Sequence, residues 1–357
     1  MNETRKERYL LVTAGVDDIL KRLAGETASP RQDFQEVATE LGARILSYSD
    51  VDRSTDPVCR WIGKTAGKAV ALAWLGYRRN GAFYFTTAEN AGMALALLLK
   101  LRRTPPVHVM IGHRVSAGKK RWLWKGLRLF DRISAMICYS ATQADFAERE
   151  LGVPPHRLHR LQFQVDERFF KPGHGTTSGG GVVSVGRELR DYPTLFAAVD
   201  GTAIPTTVVV SSPWSRRKDQ TANRRIPPNV VLLKGLTSEE LRDAYRAATV
   251  AVVPLQNVDS PAGVTSMLEA QAVGKAVIVS DTPGIRDSIG SGEHVVTVPC
   301  GDAGALRTAI QALLADPEKA AALGRRGLAS VLADKTLDHF TANVARVCRA
   351  AEKIVLP

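Results

Sequence analysis

The stretch SPAGVTSMLEAQAVGKAVIVSDTPG, residues 260–284, decides the fold. A loop at Ala262 and Gly263 leads into a helical pattern that runs to Val273, and the apolar residues Ala276–Val279 then predict a short buried strand. Helices that alternate with such strands are typical of a parallel sheet covered by helices. This stretch therefore indicates an α/β fold.

The same alternation extends over the rest of the chain. The pattern predicts further strands over 9–14, 43–48, 82–87, 107–111, 135–139, 181–185, 206–210, 230–232, 250–254 and 295–298. It predicts helices over 32–41, 91–101, 141–151, 193–199, 238–247, 302–314, 317–332 and 337–354. The glycine-rich run Lys171–Gly181 interrupts the alternation and has linker composition. We expect an N-terminal doubly wound domain (1–172), a linker (173–181), a C-terminal doubly wound domain (182–336) and a final helix (337–357) that returns to the first domain.

Size and composition narrow the class of protein. The 357 residues suit two domains, and no uncharged apolar run approaches the 18 residues or so of a membrane helix. The polar start MNETRKERYL lacks the apolar core of a signal peptide, so we expect a cytoplasmic protein. The four cysteines are scattered and form no metal-ligand spacing, which favours buried reduced thiols.

The positive charge is concentrated in the N-terminal half. The chain carries a formal +12, of which residues 1–172 contribute +10 (28 Lys and Arg against 18 Asp and Glu). Such an excess attracts an anionic partner, which can be a phospholipid surface, a phosphorylated acceptor or a nucleic acid. We rank nucleic acid last, because no zinc finger, helix-turn-helix or aromatic RNA-binding signature is apparent.

Three segments of the second half carry a resemblance to a known family. They are SVGRELRDYPTLFAAV (184–199), KGLTSEELRDAYRAATVAVVPL (234–255) and SPAGVTSMLEAQAVGKAVIVSDTPGIRDSI (260–289). Taken in order, they resemble the family-4 retaining glycosyltransferases of group 1, which have the GT-B fold of two facing Rossmann-like domains. The resemblance implies transfer of a sugar from a nucleoside-diphosphate donor with retention of configuration and no further cofactor. It spans nearly all of residues 180–350 and is looser before them.

The loop after the strand at 182–185 is the first part of the expected donor site. Gly186 lets the backbone approach a ligand closely, and Arg187 and Arg190 supply cations that can stabilise the leaving diphosphate. The family usually has Arg and Lys here, so Arg190 replaces the Lys in a loop about two residues shorter. The alternative is that both arginines lie on the surface and pair with Glu188 and Asp191.

The start of the helix near residue 264 is the second part. Helix N-termini bind phosphate through free N–H groups, so we assign the diphosphate to the backbone at Gly263, Thr265 and Ser266. Glu269 lies one turn further on and is expected to accept hydrogen bonds from the ribose hydroxyls. An ordinary solvated glutamate is the alternative.

One position departs from the family pattern. The family has a first glutamate eight positions before the second, and Pro261 occupies that place here. Since the first acid contacts the donor sugar in the family, the identity of the sugar stays open, and Asp259 is a candidate replacement.

Three residues of the N-terminal half are weaker candidates. His113 follows a strand and matches the family histidine near the donor sugar, where it can support the leaving group; capping a loop is the alternative. Glu89 is a candidate for acceptor binding, and Gly15 is a candidate close-approach glycine in the first loop.

The segment KKRWLWKGLRLFDRI, Lys119–Ile133, alternates basic with aromatic and aliphatic residues. On a continuous helix this separates in part into a basic and an apolar side, which is the character of a helix at an anionic membrane surface. The alternative is a helix that packs on the N-terminal sheet and leaves its basic side in solvent.

The leading hypothesis is a retaining, metal-independent glycosyltransferase that moves a sugar from a UDP- or GDP-sugar to a hydroxyl of a glycan, lipid or small molecule, since no DxD metal motif is apparent. A nucleotide-sugar epimerase or a phosphorylase is a second enzymatic possibility on the same fold. A relative that binds nucleotide sugar or lipid without transfer is the non-enzymatic alternative, and it is motivated by Pro261.

Overall fold

A computed structural model describes residues 7–116, 121–173, 180–210 and 225–354. The chain divides into two compact units. Unit 1 comprises residues 1–25, 31–161 and 341–357, and unit 2 comprises 26–30 and 162–340. Most of the linker predicted at 173–181 lies outside the described residues.

Unit 1 is built on one parallel sheet. Its strands are β1 (Arg8–Val12), β2 (Arg44–Ser47), β3 (Phe83–Thr86), β4 (Val107–Gly112), β5 (Ala135–Cys138) and β6 (Leu158–Arg160). They lie in the order β2-β1-β3-β4-β5-β6, and each pair is parallel. Its helices before β4 are α1 (Val16–Ala24), α2 (Asp33–Leu41), α3 (Tyr48–Arg53), α4 (Pro57–Thr65), α5 (Lys68–Arg78) and α6 (Glu89–Leu99). After β4 come α7 (Arg121–Gly126), a 3-10 helix (Leu129–Arg132) and α8 (Ala141–Arg149).

Unit 2 repeats the architecture. Its strands are β7 (Val182–Val185), β8 (Thr206–Val209), β9 (Val230–Leu233), β10 (Val250–Val253), β11 (Ala276–Asp281) and β12 (Val296–Pro299), in the order β12-β11-β10-β7-β8-β9. All pairs are parallel. Its helices are α9 (Tyr192–Val199), α10 (Ser238–Ala247), α11 (Val264–Ala272), α12 (Arg286–Ile289), α13 (Ala303–Ala315) and α14 (Pro317–Asp334). The last helix, α15 (Leu337–Ala351), begins in unit 2 and ends among the residues of unit 1.

Both faces of the unit 2 sheet are covered. In β10, Ala251 and Val253 join the core formed with α11, whereas Val250 and Val252 join the core formed with α9 and α13. Side chains alternate between the two faces of a strand, so burial of both faces requires a continuous apolar run. The run VAVV at 250–253 meets this requirement, and this is why so short a segment is recognisable as a strand.

Each sheet has one place where the strand order reverses. In unit 1 it lies between β1 and β3, and in unit 2 between β7 and β10. Loops that leave the carboxyl ends of two such neighbouring strands diverge and open a crevice in which ligands of doubly wound proteins bind. In unit 2 these are the loops that carry Gly186–Arg190 and Asp259–Gly263.

The elements match the sequence expectations with three differences. Helices α1, α3, α4, α5 and α12 and strand β6 were not predicted. The sequence predicts that Ser238 opens the helix at 238–247, whereas the N-cap of α10 is Thr237, because Thr237 and Glu240 form a capping box. None of the described helices is long and apolar enough to cross a membrane.

The third difference concerns the segment Lys119–Ile133, where a single amphipathic helix was expected. Lys119 and Lys120 lie outside the described residues. The remainder forms α7 and the 3-10 helix, separated at Arg128, whose φ of +46° is left-handed and ends the helical run. A continuous helix with one apolar side is therefore absent from the described part of this segment.

Candidate functional site

The loop after β7 is built around a buried arginine. Arg190 is 5% exposed and donates three hydrogen bonds within unit 2: Nε to Val185 O (3.0 Å), Nη1 to Glu188 O (3.0 Å) and Nη2 to Ser266 Oγ (2.8 Å). Burial lowers the pKa of Arg190 from its usual value. The guanidinium thus ties the β7 loop to the first turn of α11.

Gly186 makes room for this guanidinium. Its φ is +120°, and a Cβ added there would lie 2.4 Å from Arg190 Nη2. Both the backbone conformation and the contact exclude a larger residue at position 186. The sequence had suggested close approach to a ligand, whereas the structure shows close approach to Arg190.

Arg187 differs from Arg190 in its surroundings. It is partly buried, and its Nε is shielded from solvent without a hydrogen-bond partner among the described residues. Since a buried guanidinium N–H without a partner is costly, this group is one that a bound anion would satisfy. The alternative of two surface arginines does not hold for Arg190, which is buried and binds the backbone oxygen of Glu188, while the Asp191 carboxylate caps α9.

The N-terminus of α11 presents unpaired backbone donors. Its N-cap is Gly263 (φ +83°), which provides no side chain to cap the first N–H groups. A Cβ on Gly263 would lie 2.7 Å from Val253 Cγ1, so glycine lets this helix start directly against β10. Thr265 is exposed, whereas Ser266 is 6% exposed and accepts the bond from Arg190 while donating to Val185 O (3.2 Å).

Glu269 lies on α11 beside a buried tyrosine. Tyr245 Oη donates to Glu269 Oε2 at 2.9 Å. Although some of the Glu269 side chain stays accessible, burial raises the pKa of its carboxyl to about 7, against the opposing effects of the Tyr245 hydrogen bond and the Arg190 charge. Glu269 is therefore a partly ionised acceptor near neutral pH.

The loop before α11 has a tightly fixed shape. A Cβ on Gly284 would lie 2.0 Å from Ser260 O, and Gly284 N donates to Val258 O at 3.1 Å. This contact fixes the backbone at Asp259–Pro261, where the family's first glutamate is replaced. Asp259 is partly buried in this loop.

The N-terminal candidates lie together in unit 1. His113 N donates to Glu89 Oε2 (3.1 Å), and His113 Nε2 lies 2.9 Å from Thr87 O. A carbonyl oxygen can only accept, so Nε2 carries the proton. His113 thus links the loops after β3 and β4, and Nδ1 is the ring nitrogen left to act as an acceptor.

Gly15 does not need to be glycine for its conformation. It precedes α1 with φ −80° and gives no side-chain cap to that helix. A Cβ there would lie 3.0 Å from Asp18 Oδ2, the end of a mobile side chain. In the structure, Gly15 serves only as the N-cap residue of α1, without a side chain to cap the helix.

Comparison with known proteins bears on unit 2 first. Residues 208–329 match the family model described as glycosyl transferases group 1. These residues are a glycosyl transferases group 1 domain. The group 1 domain includes β10, the Gly263 loop and α11 with Glu269, and it ends before α15.

Two curated relatives match part of the chain. A GDP-mannose-dependent alpha-(1-6)-phosphatidylinositol monomannoside mannosyltransferase of Mycolicibacterium smegmatis is 29% identical over 144 residues, which are 39% of this chain and 37% of that protein. A D-inositol 3-phosphate glycosyltransferase of Geodermatophilus obscurus is 36% identical over 116 residues, or 32% of this chain and 24% of that protein. The chain is thus matched to well under half the length of either relative.

Solved structures are similar over the whole chain. Sucrose-phosphate synthase from Thermosynechococcus elongatus superposes with a TM-score of 0.70 at 19% identity, covering 97% of this chain and 99% of that one. HepE of Anabaena, in complex with UDP and glucose, superposes with a TM-score of 0.69 at 13% identity, covering 96% and 100%. Together with the two parallel sheets, these similarities confirm the predicted fold class, GT-B, and the match over residues 208–329 confirms the predicted family for that part of the chain. The family-4 subclass stays a prediction.

Sequence reasoning missed Tyr245 as a member of the site in the group 1 domain. Tyr245 is 1% exposed and lies 24 positions before Glu269. The available signal was the buried side of α10, on which Leu241 and Tyr245 are four residues apart. That signal marks Tyr245 as buried but does not name its partner.

Proposed function

We propose that the chain transfers a glycosyl residue from a nucleoside-diphosphate sugar to a hydroxyl acceptor. One observation carries the proposal: Arg187, the uncapped start of α11 and Glu269 lie on the two loops and the helix that follow β7 and β10, where the strand order of unit 2 reverses. A guanidinium and free helical N–H groups suit a diphosphate, and a carboxylate suits the hydroxyls of a ribose.

In this proposal, Arg187 and the N-terminus of α11 bind the diphosphate. Arg187 has an unsatisfied buried Nε, and the first N–H groups of α11 have no side-chain cap. We assign direct contact with the phosphates to Arg187 and to the backbone of Thr265 and Ser266. Arg190, whose donors are occupied by protein groups, positions Ser266 instead.

The sugar is transferred with retention in this proposal. The bond from the anomeric carbon to the phosphate oxygen breaks, the acceptor oxygen bonds to the same face of that carbon, and the acceptor proton passes to the departing phosphate. Arg187 and the α11 N–H groups stabilise the charge that grows on the diphosphate. These are protein groups, so we propose a reaction that needs no divalent metal ion and no further cofactor.

The donor is proposed as a UDP- or GDP-hexose. HepE was crystallised with UDP and glucose, and the Mycolicibacterium relative is named for GDP-mannose. The names of the two curated relatives favour an inositol phosphate or a phosphatidylinositol glycolipid as the acceptor class. In unit 1, the linked pair Glu89 and His113 is the candidate acceptor side, with contact to an anionic membrane at the cytoplasmic face as part of the proposal.

Binding without transfer is the second candidate, because Pro261 replaces a carboxylate that contacts the sugar in the family. Turnover separates the two candidates. The experiment is calorimetric titration with UDP, GDP, ADP and TDP, followed by a donor-hydrolysis and transfer assay with the sugar form of whichever nucleotide binds.

Arg187→Gln and Glu269→Gln are the test variants for the titration, and Arg325→Gln, at an exposed arginine of α14, is the matched control. We expect one nucleotide to bind and both test variants to weaken it at least about tenfold. Binding of none of the four nucleotides would refute the proposed donor site, and binding without turnover in the presence of acceptor lipids would favour the second candidate.

A further inference from the structure

The positive charge of unit 1 is confined to one part of the fold. Residues 57–132 contain 15 Lys and Arg but only two acids, Glu89 and Asp131, a net +13 that exceeds the +12 of the whole chain. This range runs from α4 to the 3-10 helix. The rest of the chain is therefore close to neutral in sum.

The exposed apolar side chains of unit 1 lie in the same part. Among the described residues, the large apolar side chains that are exposed in unit 1 are Val58 (42%), Trp61 (65%), Leu97 (45%), Leu101 (74%) and Leu127 (38%). They lie on α4, on the end of α6 and next to α7. Since α4 packs on α5, α5 on α6 and α6 on the 3-10 helix, these elements form one continuous layer.

Contacts of Asp56 and Cys59 fix the orientation of α4, and so determine which of its side chains are exposed. The Asp56 carboxylate caps its first turn, and Trp74 Nε1 donates to the same carboxylate at 2.9 Å. Cys59, on the opposite side of the helix, is fully buried in the core of unit 1. At 100° per residue, Val58 and Trp61 then share the outer side with the two cations Arg60 and Lys64, all of them exposed.

Exposed apolar side chains also lie next to cations at the end of α6. Leu101 is next to Lys100, whose Nζ lies 3.4 Å from Arg128 O, and Leu127 precedes Arg128. The four exposed cations Arg60, Lys64, Arg103 and Lys125 form no ion pair with any residue in the described ranges. Cations and apolar tips thus alternate along the layer, and within the described part of the chain these four cations are left unpaired, whereas Lys68 and Arg128 pair with Asp52 and Asp131.

We propose that this layer, through Val58, Trp61, Leu97, Leu101 and Leu127, docks on an anionic lipid bilayer. A tryptophan and isolated aliphatic tips enter the headgroup region, while the neighbouring Lys and Arg bind lipid phosphates. The cores of protein interfaces are depleted of lysine, whereas this layer exposes Lys64 and Lys125 beside its apolar tips. The inference refines the proposed membrane contact: of the segment Lys119–Ile133 it keeps the exposed Leu127, whereas Trp124, Leu129, Phe130 and Ile133 are core residues.

The test is sedimentation of the full chain with vesicles of phosphatidylcholine alone or of phosphatidylcholine and phosphatidylglycerol at three to one. We expect binding to the anionic vesicles only, weakening as salt rises. Arg60→Glu with Lys64→Glu should lower the partition coefficient by about twenty-fold or more, at roughly fivefold for each cation lost and more for the reversed charge. Trp61→Ala should lower it by about five- to tenfold.

The control replaces an exposed arginine and leucine of α14 in unit 2, Arg325→Glu with Leu332→Ala, and should leave vesicle binding unchanged. Equal binding to both vesicle types, or equal losses in control and test variants, would overturn the proposal. So would a change in molar mass by light scattering with Trp61→Ala, because that outcome would assign the surface to a second copy of the chain. Nucleotide titration of Trp61→Ala should match the wild type, so failure of docking and failure of the donor site are distinguishable.

Discussion

Tyr245 Oη donates a 2.9 Å hydrogen bond to Glu269 Oε2, and this bond joins α10 to α11 at the carboxylate proposed to bind ribose. The tyrosine is fully buried and the glutamate only partly, so the bond orients the carboxylate from the protein side and leaves its other oxygen, Oε1, for a ligand. Tyr245 is thus a positioning residue for Glu269.

Tyr245→Phe should weaken nucleoside-diphosphate binding by about three- to tenfold, the usual effect of losing one hydrogen bond to a charged group. Because the bond lowers the pKa of Glu269, its loss should also move the pH of half-maximal affinity upward. Calorimetric titration between pH 5.5 and 8.5 measures both effects. Tyr9→Phe, which removes a hydrogen bond to Glu7 in unit 1, is the matched control, and an unchanged pH profile in Tyr245→Phe would contradict the positioning role.

Nucleotide affinity of the wild-type protein should depend on pH near neutrality. The carboxyl of Glu269 has a pKa of about 7, and only the ionised form accepts hydrogen bonds from both ribose hydroxyls. Affinity should therefore be constant above pH 8 and fall by up to about tenfold per pH unit below 7. Glu269→Gln should bind weakly at every pH; a profile in the variant as steep as in the wild type would assign the titration to another group.

Folding stability should show the opposite dependence. The pKa of about 7 in the folded protein lies above the ordinary value of 4.5, so the folded state binds the proton more tightly. This stabilisation is fully present below pH 4.5 and is lost as pH rises through 7. Thermal unfolding should thus show Glu269→Gln gaining stability relative to the wild type, by about 1–3 kcal/mol, between pH 5 and pH 8. A constant difference across that range would count against the raised pKa.

Gly186→Ala should destabilise unit 2 by about 2–4 kcal/mol, since it forces a side chain into a φ of +120° and against the Arg190 guanidinium. Denaturant unfolding of Gly186→Ala, Arg190→Ala and the double variant measures the coupling. We expect the double variant to cost less than the sum of the two single ones, because removal of the guanidinium relieves the clash. Strict additivity would show that the backbone conformation alone is responsible.

The fold, and the loops that carry the proposed donor site, were accessible from the sequence. Buried parallel strands are short apolar runs, so strands could be predicted at 250–254 and 276–279 without their neighbours, close to the observed β10 and β11. Helices α4 and α5 were missed, because the stretch between β2 and β3 mixes glycine and basic residues with apolar ones, and packing among α3, α4 and α5 decides its structure. The role of each arginine was also inaccessible: Arg187 and Arg190 are three residues apart in one loop, yet only contacts with Val185 and Ser266 separate them.

The sequence by itself determined the two parallel sheets, the family of the C-terminal domain and the segments at which strands end, since these follow from local hydrophobic runs and from glycines with fixed backbone demands. The tertiary structure alone decided which polar groups meet. It brought Tyr245 into hydrogen-bond contact with Glu269 and buried Arg190 against Gly186. It also buried Trp124 and Phe130 while leaving Trp61 and Leu127 exposed. Burial and hydrogen-bond partners are properties of residues distant in the chain, so no local pattern can specify them.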